Sequence, residues 1–107
     1  MQSLTVEAFA AWRADPARAA PLLLDVREPW EFELVHLDGA LLIPMGEVPA
    51  RFQEIDPEQE IVCLCHHGIR SAQVAAFLVR QGCEKVYNLA GGIDAWARRI
   101  DPALPVY

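Results

Sequence analysis

The chain has 107 residues, 53% of them hydrophobic, and a formal net charge of −6. That length suits one domain with one hydrophobic core, and the acidic balance excludes the basic face that nucleic acid requires. No apolar run approaches the roughly 20 residues of a membrane span.

The N-terminal stretch Met1–Glu7 lacks the basic flank and apolar run of a signal peptide, so a cytoplasmic setting is expected. Leu4 to Ala14 predicts an amphipathic helix capped by Thr5, with Ala8, Phe9 and Trp12 on one face. Asp15-Pro16 ends it. Leu22-Leu23-Leu24-Asp25-Val26 reads as a strand buried on both faces, with Asp25 as an anomaly inside it. Glu28 to Phe32 is a helical turn with Pro29 at an early position. Gly39 to Pro44 reads as a second buried strand, and Glu47 to Phe52 as a short helix. Glu60 to Cys65 is a third core strand, apolar and β-branched. A helix is expected from Ser71 to Gln81, stopped by Gly82. Lys85 to Leu89 is a further strand; Gly91-Gly92 breaks the chain, and Ile93 to Ile100 forms the last helix. Strands separated by helices predict parallel β-α-β units in a three-layer α/β domain. In such folds ligands sit at the carboxyl ends of strands, which directs attention to Cys65.

Cys65 ends a buried strand just before a helix. The segment Cys65-His66-His67-Gly68-Ile69-Arg70-Ser71 therefore turns tightly at a helix N-terminus. Amides there have no intrahelical partners and stabilise an anion at the centre of the turn. Gly68 supplies backbone freedom, and Arg70 adds a planar cation suited to oxyanions. The arrangement suits a thiolate nucleophile acting on an anionic substrate. Three cysteines, an odd number, fit free thiols better than a disulfide framework. Cys63 is expected to pack in the core, and Cys83, at a helix exit, to be inert.

Four segments together resemble the single-domain rhodaneses, the thiosulfate sulfurtransferase family. They are Leu23-Leu24-Asp25-Val26-Arg27-Glu28, then Glu31-Phe32 with His36, Gly39-Ala40 and Ile43-Pro44, then the Cys65–Ser71 loop, then Gly91-Gly92-Ile93-Asp94-Ala95-Trp96. The resemblance spans nearly the whole chain. It implies a mainly parallel sheet of about five strands flanked by helices. It also implies ping-pong transfer of a sulfane sulfur from a small anionic donor such as thiosulfate, through a Cys65 persulfide, to cyanide or a thiol. Neither cofactor nor metal is implied. The chain departs from the family pattern at Val35, at Asp38 and at His66-His67, where well-studied thiosulfate enzymes often carry a basic residue.

In this reading Cys65 is catalytic, and the loop residues His66, His67, Gly68, Ile69, Arg70 and Ser71 hold or border the transferred sulfur. Asp25 and Arg27 support the site from behind, with Asp25 expected to bond the surrounding loops or to pair with Arg27 or Arg70. His36 is expected to be a structural hydrogen-bonding residue, and Trp30 and Trp96 packing residues, with one at the rim as the variant reading. Two rivals stand beside it. One is a sulfur carrier that receives sulfur from a relay protein and turns over little by itself. The other is a cysteine phosphatase, disfavoured because Cys65 and Arg70 are spaced C-x4-R, one residue short of the phosphatase loop. A metal site made from His66, His67, Cys63 and Cys65 matches no usual zinc spacing.

Overall fold

The computed structural model describes residues 1–107. Five strands form one sheet: β1 (Gln2–Leu4), β2 (Leu22–Asp25), β3 (Leu41–Leu42), β4 (Ile61–Leu64) and β5 (Val86–Leu89). Five α-helices join them: α1 (Val6–Ala14), α2 (Pro29–Leu34), α3 (Val48–Arg51), α4 (Ile69–Arg80) and α5 (Gly92–Arg99). Single turns of 3-10 helix at Met45–Glu47 and Phe52–Glu54 flank α3. No helix is long and apolar enough to cross a membrane.

The strand order is β1-β5-β4-β2-β3, and every pairing is parallel. β4 lies at the centre, and all four of its residues are buried. Alternation sends its side chains to opposite faces. Ile61, Cys63 and then Cys65 join one apolar cluster with Val74, Ala75 and Leu78 of α4 and with Val48 and Ile55. Val62 and Leu64 join the other, with Phe9 and Trp12 of α1 and Ile93 and Trp96 of α5. The three-layer α/β fold expected from the sequence is thus present, with a core on each side of the sheet.

Five local expectations need correction. Residues 2–4 form an edge strand paired with β5, so the first helix starts at Val6. Thr5 does cap it, its hydroxyl accepting from Ala8 N at 3.1 Å. Val6, not the exposed Ala8, shares the buried face with Phe9 and Trp12. The stretch from Gly39 to Pro44 is not a strand buried on both faces: only Leu41 and Leu42 pair, at the sheet edge, and Leu41 is exposed. The helix after the cysteine loop begins at Ile69, two residues early, because Gly68 caps it at φ +97°. Trp30 is 61% exposed rather than packed, whereas Trp96 is buried.

Candidate active site

The site forms where β4 ends and α4 begins. Leu64 is the last paired residue, and Cys65 follows it at 1% exposure. The chain then turns through His66 and His67 to Gly68, whose positive φ is a conformation that disfavours a side chain. A Cβ there would also meet Gly91 N and Leu89 O at 3.2 Å. The turn aims three donors at Cys65 Sγ: Gly68 N at 3.1 Å, Ser71 N at 3.4 Å and Ser71 Oγ at 3.2 Å. Two are amides at the start of α4, where the helix dipole adds positive potential. A negatively charged sulfur is stabilised at that point.

The loop is braced on both sides. Asn88 of β5 donates from Nδ2 to Gly68 O at 3.0 Å and accepts from Ser71 Oγ at 2.6 Å. Ser71 has a single hydroxyl hydrogen. While that hydrogen points to Asn88, Ser71 Oγ can accept from a protonated Cys65; when Cys65 is a thiolate, the hydrogen can turn to Sγ. On the other side, Ile93 N donates to Cys65 O at 2.9 Å and Asp94 N to His66 O at 3.0 Å. These are amides at the start of α5. Their approach requires Gly92, where a Cβ would fall 2.5 Å from Cys65 O and against the carbonyl of His66.

Asp25 and Arg27 form an ion pair with both side chains fully buried. Arg27 Nε donates to Asp25 Oδ1 at 2.9 Å, and Nη2 donates to Oδ2 at 2.7 Å. The remaining guanidinium donors reach Val35 O at 2.7 Å and Tyr107 Oη at 2.9 Å. The Asp25 anomaly is thereby accounted for: a buried carboxylate needs a partner, and Arg27 supplies one. Arg70 pairs elsewhere. Its Nη1 and Nη2 donate to Glu31 Oε1 and Oε2 at 2.7 and 2.9 Å. The Arg70 bonds, outweighing the burial of the carboxyl, hold Glu31 down to about 2. Tyr107 Oη donates to Glu31 Oε2 at 2.6 Å, joining the two ion pairs. Burial and that bond push the Tyr107 phenol up to about 12.

Of the loop residues singled out from sequence, Gly68, Ser71 and Cys65 converge on the sulfur. Ile69 is 72% exposed, and His67 is exposed. The His66 ring lies parallel to Tyr107 at 3.8 Å and against His67 at 3.8 Å. Burial pushes its pKa below the ordinary histidine value, and the neighbouring His67 adds to the effect. Cys63 is sealed in the core, and burial pushes its thiol up to about 12. Cys83 is likewise raised by burial. All three cysteines are free. His36 Nδ1 lies 2.8 Å from Phe32 O, a local structural bond.

The side chains grouped closely enough to share a metal ion are His66, His67 and Asp94, with ligand atoms within 4.8 Å of one another. This differs from the cysteine-containing set weighed from sequence, since Cys63 points into the core. Asp94 already accepts twice from Arg98 Nε, and the two imidazoles meet tilted by 31° with their centroids 3.8 Å apart. Sequence reasoning missed Asn88, Glu31 in its pairing role, and Tyr107. Asn88 had a signal, a polar residue at the end of an apolar strand, of the same kind as Asp25. Tyr107 had none, lying 80 positions from Arg27.

Comparison with known proteins bears on the family and the fold. The profile of the family described as "Rhodanese-like domain" matches residues 5–99. A protein named sulfurtransferase from Allochromatium vinosum is 44% identical over 77 residues, covering 72% of each chain. The putative sulfur carrier protein YrkF of Bacillus subtilis is 39% identical over 79 residues, 74% of this chain and 43% of that one. Rhodanese-like/PpiC domain-containing protein 12, chloroplastic, of Arabidopsis thaliana is 40% identical over 89 residues, 79% of this chain but 30% of that one. The chain thus spans less than half the length of two of these relatives. The crystal structure of a rhodanese-like domain protein from Staphylococcus aureus superposes with a TM-score of 0.84 at 26% identity, over 100% of this chain and 99% of that one. Both the sequence, matched over residues 5–99, and the five-stranded parallel sheet around the cysteine turn place the chain in the rhodanese-like domain family.

Proposed function

We propose that the protein is a sulfurtransferase that carries a sulfane sulfur as a persulfide on Cys65. The observation that carries this reading is the convergence of Gly68 N, Ser71 N and Ser71 Oγ on Cys65 Sγ. In the first step the Cys65 thiolate attacks the outer sulfur of thiosulfate. The S–S bond of the donor breaks, and sulfite leaves with its electron pair. In the second step cyanide or a thiolate attacks the terminal sulfur of the persulfide, and Cys65 leaves as the thiolate. The amides of Gly68 and Ser71 stabilise the negative sulfur in both steps. Three free thiols suit a reducing compartment such as the cytoplasm.

A second reading, a sulfur carrier fed by a relay protein, is favoured by one observation. The guanidinium of Arg70 is engaged at both terminal nitrogens by Glu31, so its charge is largely offset before a small dianion arrives. The phosphatase reading needs that cation free and a longer loop. It predicts aryl phosphate turnover that is lost in Cys65→Ser.

Intact-protein mass spectrometry after incubation with thiosulfate tests the proposal. The expected result is a gain of one sulfur, absent in Cys65→Ser and removed by cyanide. Loading from a protein persulfide but not from thiosulfate would select the carrier reading. No loading from either, with Cys65 reduced and alkylatable, would overturn both.

A further inference from the structure

The segment after α5 returns to the site. Asp101 N donates to Trp96 O at 2.9 Å and Leu104 N to Asp101 O at 3.1 Å, which folds the tail back on the helix it leaves. Leu104 and Tyr107 pack against the apolar cluster that contains Ile93 and Trp96. Tyr107 arrives with both of its functional parts engaged. The hydroxyl accepts from Arg27 and donates to Glu31, so one oxygen ties the buried Asp25–Arg27 pair to the Glu31–Arg70 pair at the rim. The ring lies 3° from parallel with His66 at 3.8 Å, and Trp30 meets it edge-on at 5.9 Å.

We propose that Tyr107 is a positioning residue of the sulfur-transfer site: its ring holds His66 in place, and its hydroxyl holds the Glu31–Arg70 pair, so the tail shapes the rim around Cys65. The kinetic part of this proposal rests on the sulfurtransferase reading; the structural part does not. His66 lies half-buried between Tyr107 and the exposed His67, and its Nε2 is buried with no hydrogen-bond partner. The charged form of such an imidazole is disfavoured. His67 opposes a positive charge there, while Asp94, Glu31 and a backbone bond with Tyr107 favour it. Arg27 and Arg70 are each already paired, with Asp25 and with Glu31. His66 therefore serves as a neutral ring held in place beside the cysteine turn at neutral pH rather than as a cation that attracts the donor.

The test compares wild type with Tyr107→Phe and Tyr107→Ala. His66 is titrated by NMR on its ring Cε1–H signal, with His36, which sits on Phe32, as an internal reference. In Tyr107→Ala water reaches His66, and its midpoint rises toward the ordinary histidine value. Tyr107→Phe keeps the ring and titrates as wild type. In steady-state transfer from thiosulfate, Tyr107→Ala changes KM at least threefold, while the fraction of Cys65 loaded at saturating donor stays the same. Tyr107→Phe lies between the two, since only the hydroxyl bridge is lost. An unmoved His66 midpoint in Tyr107→Ala overturns the proposal, and so does a Tyr107→Phe variant that titrates like Tyr107→Ala. A wild type that takes no sulfur from thiosulfate instead counts against the choice of donor, and the His66 titration still decides the role of Tyr107.

Discussion

A cation beside a nucleophile does not always serve the substrate. Arg70 stands five residues after Cys65, where a charge would attract an anionic donor, yet both of its terminal nitrogens bind Glu31. Replacing Glu31 by Gln should release most of that charge. At ordinary surface dielectric the gain for a dianion is about 0.5–1 kcal/mol, a two- to fivefold lower KM for thiosulfate. An unchanged or higher KM would show that Arg70 has no part in donor binding. The same variant has a pH signature in stability. Glu31 is held at about 2 when folded, against 4.5 as its ordinary value. Its depressed folded value means that the ion pair stabilises the fold fully above pH 4.5, and that this contribution is lost as the pH falls toward 2. Wild type should therefore melt higher than Glu31→Gln at pH 7, and thermal scans across that acid window should converge. Asn88 offers the other residue-scale test. Asn88→Ala leaves Gly68 O and Ser71 Oγ without their buried partner, at a cost of about 1–3 kcal/mol. Chemical denaturation would measure the loss, and sulfur loading on Cys65 should fall with it. Asp25 was legible as a polar residue closing an apolar strand, while Asn88, inside β5, carried a similar signal that went unread. The partners of both were not legible, because an ion pair or hydrogen bond across the fold leaves no local pattern.

Among the elements, strands buried on both faces were the most legible, and edges the least. β2, β4 and β5 are mainly apolar, mainly buried runs, β4 at all four residues, and composition marks them. β1 is short and mostly exposed, and its Gln2 and Ser3 look like a leader to the helix that follows. β3 sits at the opposite edge and pairs through only two residues, although its sequence is as apolar as that of a core strand. The difference lies in neighbours, which a single chain read in order does not contain. Gly91-Gly92 was readable as a break, and the structure supplies its reason. Gly92 lets the first amides of α5 reach the carbonyls of Cys65 and His66. Gly92→Ala places a methyl against both carbonyls at a φ of +62°. It should cost more than about 2 kcal/mol, the sum of clash and left-handed backbone strain. Gly82→Ala carries only the φ term, because nothing lies within 4 Å of its Cβ position. A thermal shift comparable for the two variants would mean that α5 does not brace the cysteine turn.

At the scale of the whole molecule the relevant quantity is charge. The chain carries −6 in all, but around the cysteine turn the charges are paired: Asp25 with Arg27, Glu31 with Arg70, and Asp94 with Arg98. The excess negative charge therefore sits on the remaining surface. A dianion approaching from solution meets an average repulsion, opposed at close range only by the amides of the loop. Repulsion over such distances is screened by salt, with a Debye length of about 30 Å at 0.01 M and about 8 Å at 0.15 M. The second-order rate of Cys65 loading by thiosulfate should consequently rise over that range of salt. Alkylation of Cys65 by neutral iodoacetamide should hardly change, which separates steering from any effect of salt on the thiolate itself. A thiosulfate rate that falls with salt would mean that the local field at the turn is positive and outweighs the distant charge. The site would then be built to attract a small anion, and the carrier reading would lose the observation that favours it.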